Sequence, residues 1–187
     1  LRTKPGACPA DEPAEAHVVR DVVIHMLLDE LIAARQEHIS PTDEGDVSVA
    51  DARDSYILVL LQCLTELLSS YMGCKQSFLE YRVNGSESIL TYFMNELVPS
   101  GFLAQYEPDE LRKRTTESNW AISVMVALAA DPLPDHEAQV VPDALIVARK
   151  TLLDALHKAL REAMATQEMV EIKFGRLYAL TDMCYRL

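Results

Sequence analysis

Asp21, His25 and Asp29 stand four residues apart in DVVIHMLLD, so on a helix they share one flank. A divalent cation can use carboxylate, imidazole and carboxylate at that step. An exposed charged flank gives the same spacing without a ligand. Zinc and hard-ion sites need further donors that this segment does not supply, so the flank reads as helix surface. His17, His38, His136 and His157 have no partner at ligand spacing.

The four cysteines, Cys8, Cys63, Cys74 and Cys184, are widely and irregularly spaced with no CxxC pair. Reduced intracellular thiols fit that pattern better than a disulfide scaffold. Cys74 follows Gly73 and precedes Lys75, a cation that would lower its pKa at the start of a short helix. No histidine stands near it to act as base, so a catalytic thiol is not assigned. Cys63 falls at the edge of an apolar band and reads as a small hydrophobe. Trp120 opens an apolar helical run and reads as core. Phosphate-binding glycine loops, GxSxG elbows and HExxH pairs are absent. The sequence thus assigns no catalytic, cofactor-binding or metal residue and implies no cofactor.

The elements that would position such groups are helices. In 187 residues, hydrophobic types make up 49% and charged types 25%, which is globular composition. Only 6 glycines occur and no run alternates with period two, which argues against a β-sandwich or wound α/β sheet. The net charge of −12 is opposite to what displaces counterions from phosphates. The one basic cluster, Arg112-Lys113-Arg114, lies among Glu107, Asp109, Glu110 and Glu117, so nucleic acid is an unsuitable partner. No apolar run reaches the ~18 residues that span a bilayer. Asn84-Gly85-Ser86 matches a glycosylation sequon but reads as a turn. The chain opens on Leu1, as a piece of something longer would.

Residues 1–13, with three prolines and no periodicity, are expected to be a linker or frayed end. Residues 14–187 are expected to form one helical-repeat segment, with helices near 14–39, 54–72, 86–98, 109–130, 143–165 and 167–187. Val19, Val22, Val23, Met26, Leu27 and Leu31 would form the inner face of the first helix. Ser40–Ala52 would be an acidic loop, with Asp51 or Asp54 capping the second helix. In that helix Ile57, Leu60, Leu61, Leu64, Leu67, Leu68 and Tyr71 cover more than one side, so it has several neighbours. Gly73 would stop it. Leu90, Phe93, Met94 and Leu97 align on the third helix, and WAISVMVALAA makes the second half of the fourth nearly continuous core. Leu145, Leu152, Leu153, Leu156, Leu160 and Ala163 would face inward on the fifth, with Asp154 paired to Lys158. Val170, Phe174, Leu177, Thr181 and Cys184 would do so on the sixth. Six helices in three uneven pairs, with faces too broad for a two-helix coiled coil, predict an all-α fold. Its architecture would be an irregular armadillo/HEAT-like solenoid, a closed bundle being compatible with the same pattern.

The blocks LLQCLTELLSSYMGCKQSFLEY, SILTYFMNELVPSG, LRKRTTESNWAISVMVAL and ARKTLLDALHKAL…KFGRLYALTDMCYRL, in that order, resemble the long N-terminal armadillo-like region of giant HECT-type E3 ubiquitin ligases. The resemblance is to the Tom1/HUWE-like group and covers about residues 14–187, interrupted at two loops. It implies a parent protein in nucleus and cytoplasm with a C-terminal lobe, absent here, whose cysteine takes ubiquitin from an E2. None of the four cysteines inherits that role. Partners would be substrates of ubiquitination and adjacent helical repeats, with E2 and ubiquitin engaged only through the catalytic lobe. Ser40–Ala52 is shorter than the acidic insertions of that group and Asp131–Pro142 has no placed counterpart, which leaves partner identity open.

The expected function is therefore a non-catalytic scaffold segment of such a ligase. The alternative is a helical-repeat interaction adaptor unrelated to ubiquitin. A third reading, a helical enzyme or cofactor binder, would need a deep pocket lined by two or more of Asp21, His25, Asp29 and Cys74.

Overall fold

A computed structural model describes residues 14–39, 47–99, 108–130, 143–167 and 170–187. The expected linker 1–13 and the loop 131–142 lie outside the described residues, as does most of the expected acidic loop. Among the described residues the fold is all-α apart from one short hairpin. The elements are α1 (Ala14–Ile39), α2 (Val47–Ser70), α3 (Met72–Glu80), β1 (Arg82–Val83), β2 (Glu87–Ser88), α4 (Ile89–Tyr92), α5 (Pro108–Ala129), α6 (Asp143–Ala165) and α7 (Val170–Arg186). No helix among the described residues is long and apolar enough to cross a membrane.

Three local expectations need correction. The second helix begins at Val47, so Asp51 and Asp54 lie inside α2 and do not cap it. Its end is at Tyr71, whose extended backbone (φ −130°, ψ 115°) separates α2 from α3, while Gly73 sits within α3. That break lets α3 turn a different face to the core than a continuous helix would. Third, residues 82–88 form an antiparallel hairpin with Arg82 opposite Ser88 and Val83 opposite Glu87. Asn84 (φ 50°) and Gly85 (φ 74°) both take the left-handed conformation, and Ser86 N–H donates to the Val83 carbonyl at 3.1 Å. Two successive positive φ values make a turn of the I′ kind, which matches strand twist and suits Asn-Gly. A helix then starts at Ile89 and widens into a π-helical turn, Phe93–Leu97.

The helices stand in two rows. α1 packs on α3 and α3 on α6; behind them α2 packs along α5, and α6 on both α5 and α7. The C-terminal end of α7 also reaches α5, where Arg186 Nη2 donates to Asn119 Oδ1 at 3.2 Å. The packing of α1 on α2 and of α6 on α7, with α5 between them against α2 and α6, is consistent with an all-α helical-repeat fold.

One apolar core runs through all of them. Ile24, Leu28 and Leu31 meet Ile57, Leu61, Leu64 and Leu68, then Phe78, Phe93, Ile122, Met125 and Leu128, and on to Leu152, Leu156, Leu180 and Met183. Phe78 and Phe93 contact edge to face, centroids 5.6 Å apart, a favoured ring geometry. The WAISVMVALAA run is core on several sides, and Trp120 packs half-buried against it. Elsewhere the faces are rotated from the expected ones. Val22 and Met26 are exposed on α1, Tyr71 is exposed at the α2–α3 break, and Leu153 is exposed on α6. On α7 the buried residues are Ala179, Leu180 and Met183, while Phe174 and Cys184 face solvent. Lys158 stands 3.8 Å from Glu162 rather than with the expected Asp154.

Candidate functional site

Asp21, His25 and Asp29 keep to one flank of α1, and α3 supplies their partners. Ser77 Oγ donates to Asp21, and the Tyr81 hydroxyl, one residue beyond α3, donates to Asp29. His25 Nε2 donates to the Ser77 carbonyl at 3.2 Å, and its ring meets that of Tyr81 edge-on, centroids 5.4 Å apart. From α2, the Tyr56 hydroxyl donates to Glu30 at 3.2 Å. Burial, reinforced by the Asp29 carboxylate, pushes the Tyr81 phenol well up, so it remains a protonated donor.

Beside these contacts, Asp21, Val22, His25, Met26, Asp29 and Glu30 line an open depression of about 510 Å³. Three of the four residues that would mark an enzyme thus border one surface. The fourth, Cys74, is in the first turn of the short helix α3, as expected, but is buried there as part of the core.

Ser77, His25 and Asp21 have the residue types of a hydrolytic triad but the wrong connections. The imidazole bonds the Ser77 backbone carbonyl, not its hydroxyl, and the hydroxyl is buried and turned to the carboxylate directly. A triad nucleophile needs an accessible oxygen with the imidazole on its proton; Ser77 is buried and its proton goes to the Asp21 carboxylate. Among the described residues no group of three or more His, Cys, Asp and Glu side chains could hold a metal ion. The depression can present oriented negative charge beside apolar surface.

A second polar constellation lies inside. Arg35 Nη1 donates to Glu117 Oε1 at 2.6 Å with both side chains buried, and Arg35 Nη2 donates to the Glu96 carbonyl of the π-helical turn at 3.3 Å. Arg114 Nη1 stands 3.4 Å from the other Glu117 oxygen. Burial pushes the Glu117 carboxyl up, and the two guanidinium groups only partly offset it. Ser118 Oγ donates to the Val98 carbonyl, so α5 also holds the chain leaving the π-helical turn.

The C-terminus of α5 forms a third. Lys75, 2% exposed, donates to the carbonyls of Ala127 and Ala130 at 2.7 Å each, with the Leu128 carbonyl at 3.3 Å. Arg149 Nε donates to the Ala129 carbonyl at 2.7 Å. The last carbonyls of a helix lack partners in the helix and carry its negative end, so two cations from α3 and α6 are well placed there. Lys75 therefore serves the end of α5, a role its place beside Cys74 in the sequence did not suggest.

Sequence reasoning did not find Arg35, Lys75, Glu117 or Ser118. One signal was available: Arg35 lies in phase with Leu28, Leu31 and Ile32, and Lys75 with Phe78, so both occupy inward positions. Two residues of the basic cluster are paired with carboxylates. Lys113 pairs with Asp54 at 3.2 Å, and Arg114 is turned toward Glu117. Cys63 and Cys184 are exposed, and partial burial pushes the Cys184 thiol up, away from thiolate reactivity.

The comparisons with known proteins bear on most of the chain. No family model matches it, and no solved structure does. It is 30% identical over 180 residues to the E3 ubiquitin-protein ligase ptr1 of Schizosaccharomyces pombe, an alignment covering 89% of this chain and 5% of that protein. It is 24% identical over 191 residues to the E3 ubiquitin-protein ligase TOM1 of Saccharomyces cerevisiae, covering 90% of this chain and 6% of the relative. A TOM1-like E3 ubiquitin-protein ligase of Neurospora crassa is 28% identical over 149 residues, 68% of this chain and 4% of its own. The chain thus spans about a twentieth of the length of the curated relatives it matches.

Proposed function

Because the chain is a Tom1/HUWE-like segment, homologous to one stretch of the ptr1 and TOM1 E3 ubiquitin-protein ligases, we propose that it is a non-catalytic scaffold within a HECT-type ligase. It contributes to ubiquitination by presenting substrates or partner proteins, while transfer chemistry belongs to a catalytic lobe elsewhere in the parent protein. The observation that carries this reading is the alignment over nine-tenths of the chain with proteins of that name. The site geometry supports the non-catalytic part, since Ser77 is buried and His25 bonds a backbone carbonyl. The two rows of helices bury one continuous core and leave outer faces free for contact, as suits a scaffold. Its partners are substrates and adjacent repeats of the same protein, with E2 and ubiquitin met through the catalytic lobe, in nucleus and cytoplasm.

The test is a parent ligase from which residues 14–187 are replaced by a helical repeat of unrelated sequence. Ubiquitin loading of the catalytic cysteine from a charged E2 should persist, while ubiquitination of bound substrates falls. A ubiquitin thioester on the segment itself would overturn the reading, as would substrate ubiquitination unchanged by the replacement.

A further inference from the structure

We propose that the depression on α1 is a docking groove for a basic amphipathic segment of a partner protein; this rests on the recruitment reading and names the chemistry of what is recruited. Val22 and Met26 stand one helical turn apart in the depression, 58% and 53% exposed. They lie outside the core of this segment, whose inner face on α1 is filled by Ile24, Leu28 and Leu31 at full burial. An apolar pair held in solvent at i,i+4 spacing is the footing that an amphipathic helix uses.

The rim decides the sign of the partner. Asp21, Asp29 and Glu30 accept hydrogen bonds from Ser77, Tyr81 and Tyr56. These donors are neutral, so they orient the carboxylates without cancelling their charge, and each carboxylate keeps lone pairs for another donor. Elsewhere, Asp54, Glu117, Glu162 and Asp182 each face a lysine or arginine. No lysine or arginine is among the described residues lining the depression. Oriented, uncompensated carboxylates around an apolar pair complement lysine or arginine flanking leucine-like anchors. A net charge of −12 steers such a segment toward the chain.

The experiment is a fluorescence-anisotropy titration of the full chain with a labelled helical peptide of leucine and lysine, and with its leucine and glutamate counterpart. The lysine peptide should bind, with affinity falling steeply as salt rises, and the glutamate peptide should not. V22S/M26S and D29N/E30Q should each weaken binding about tenfold or more, the first at any salt and the second chiefly at low salt. Far-UV circular dichroism should be unchanged, since the altered groups lie at the surface. D154N/E162Q, which removes two exposed carboxylates from α6, should leave affinity as it is. Equal binding of the glutamate peptide, or D154N/E162Q weakening binding as much as D29N/E30Q, would overturn the proposal in favour of diffuse attraction to an acidic chain. If the rim variants abolish peptide binding while substrate ubiquitination by the parent ligase persists, the groove stands and the recruitment reading falls.

Discussion

Arg35 and Glu117, 82 residues apart in sequence, meet at 2.6 Å in the interior and tie α1 to the buried middle of α5. The same guanidinium reaches the Glu96 carbonyl in the π-helical turn, so one side chain joins three elements. Removing Arg35 leaves the buried Glu117 carboxylate with the longer contact to Arg114, at 3.4 Å, in place of its 2.6 Å partner. Arg35→Met should therefore cost about 3–5 kcal/mol of unfolding free energy, whereas R35M/E117M should recover much of that loss. Denaturant titrations of both variants check it; a double variant no better than the single would show that the pair is favourable in itself.

Glu117 also gives a pH dependence with a definite sign. Its carboxyl is raised above the ordinary glutamate value by burial, so over the window between the two values the folded state holds the proton and the unfolded state has lost it. The stability this group contributes is full below the unfolded pKa and is lost as pH rises through the folded one. Relative to E117Q, which has no such titration, the wild type should gain stability as pH falls from neutral into the carboxylate range. Urea midpoints of the two proteins across that range decide the matter, and a wild type that loses stability relative to E117Q on acidification would contradict it.

Lys75→Met keeps the aliphatic stem and removes the ammonium that serves the Ala127, Leu128 and Ala130 carbonyls. Leaving buried carbonyls unpaired costs about 1–3 kcal/mol each, so the variant should lose at least one such increment. Gln76→Ala next to it, at an exposed position, should lose almost nothing. Thermal unfolding of the pair separates a buried cap from a generic effect of altering α3.

Leu64→Ala or Leu68→Ala empties a fully buried position between α2 and its neighbours and should cost about 2–5 kcal/mol. Leu153→Ala, placed inward by periodicity but exposed in the fold, should be close to neutral. Denaturant midpoints of the three variants test the corrected inner faces directly, and equal losses would restore the periodic reading of α6.

Much of the architecture is legible in the chain because helix periodicity, prolines and turn residues act locally. The bounds of α1 and α6, the Asn84-Gly85 turn and the all-core run after Trp120 follow from spacing and backbone preference alone. Of the candidate site, the shared flank of Asp21, His25 and Asp29 is legible for the same reason. The donors from Ser77, Tyr81 and Tyr56 are not, because they arrive from other helices across 26 to 56 residues of sequence.

Sequence by itself determined the class of structure, the acidic charge balance and the resemblance to a ligase segment. Each depends on residue order or on totals that folding leaves unchanged. Tertiary structure alone decided which side of each helix faces inward: Ile24 rather than Val22, and Met183 rather than Cys184. Several faces of these helices are apolar enough to bury, and burial free energy depends on the neighbours that supply the covering surface. The same packing drew Arg35, Lys75 and Glu117 inside, where a cost evident in the residue type is offset only by partners distant in the chain.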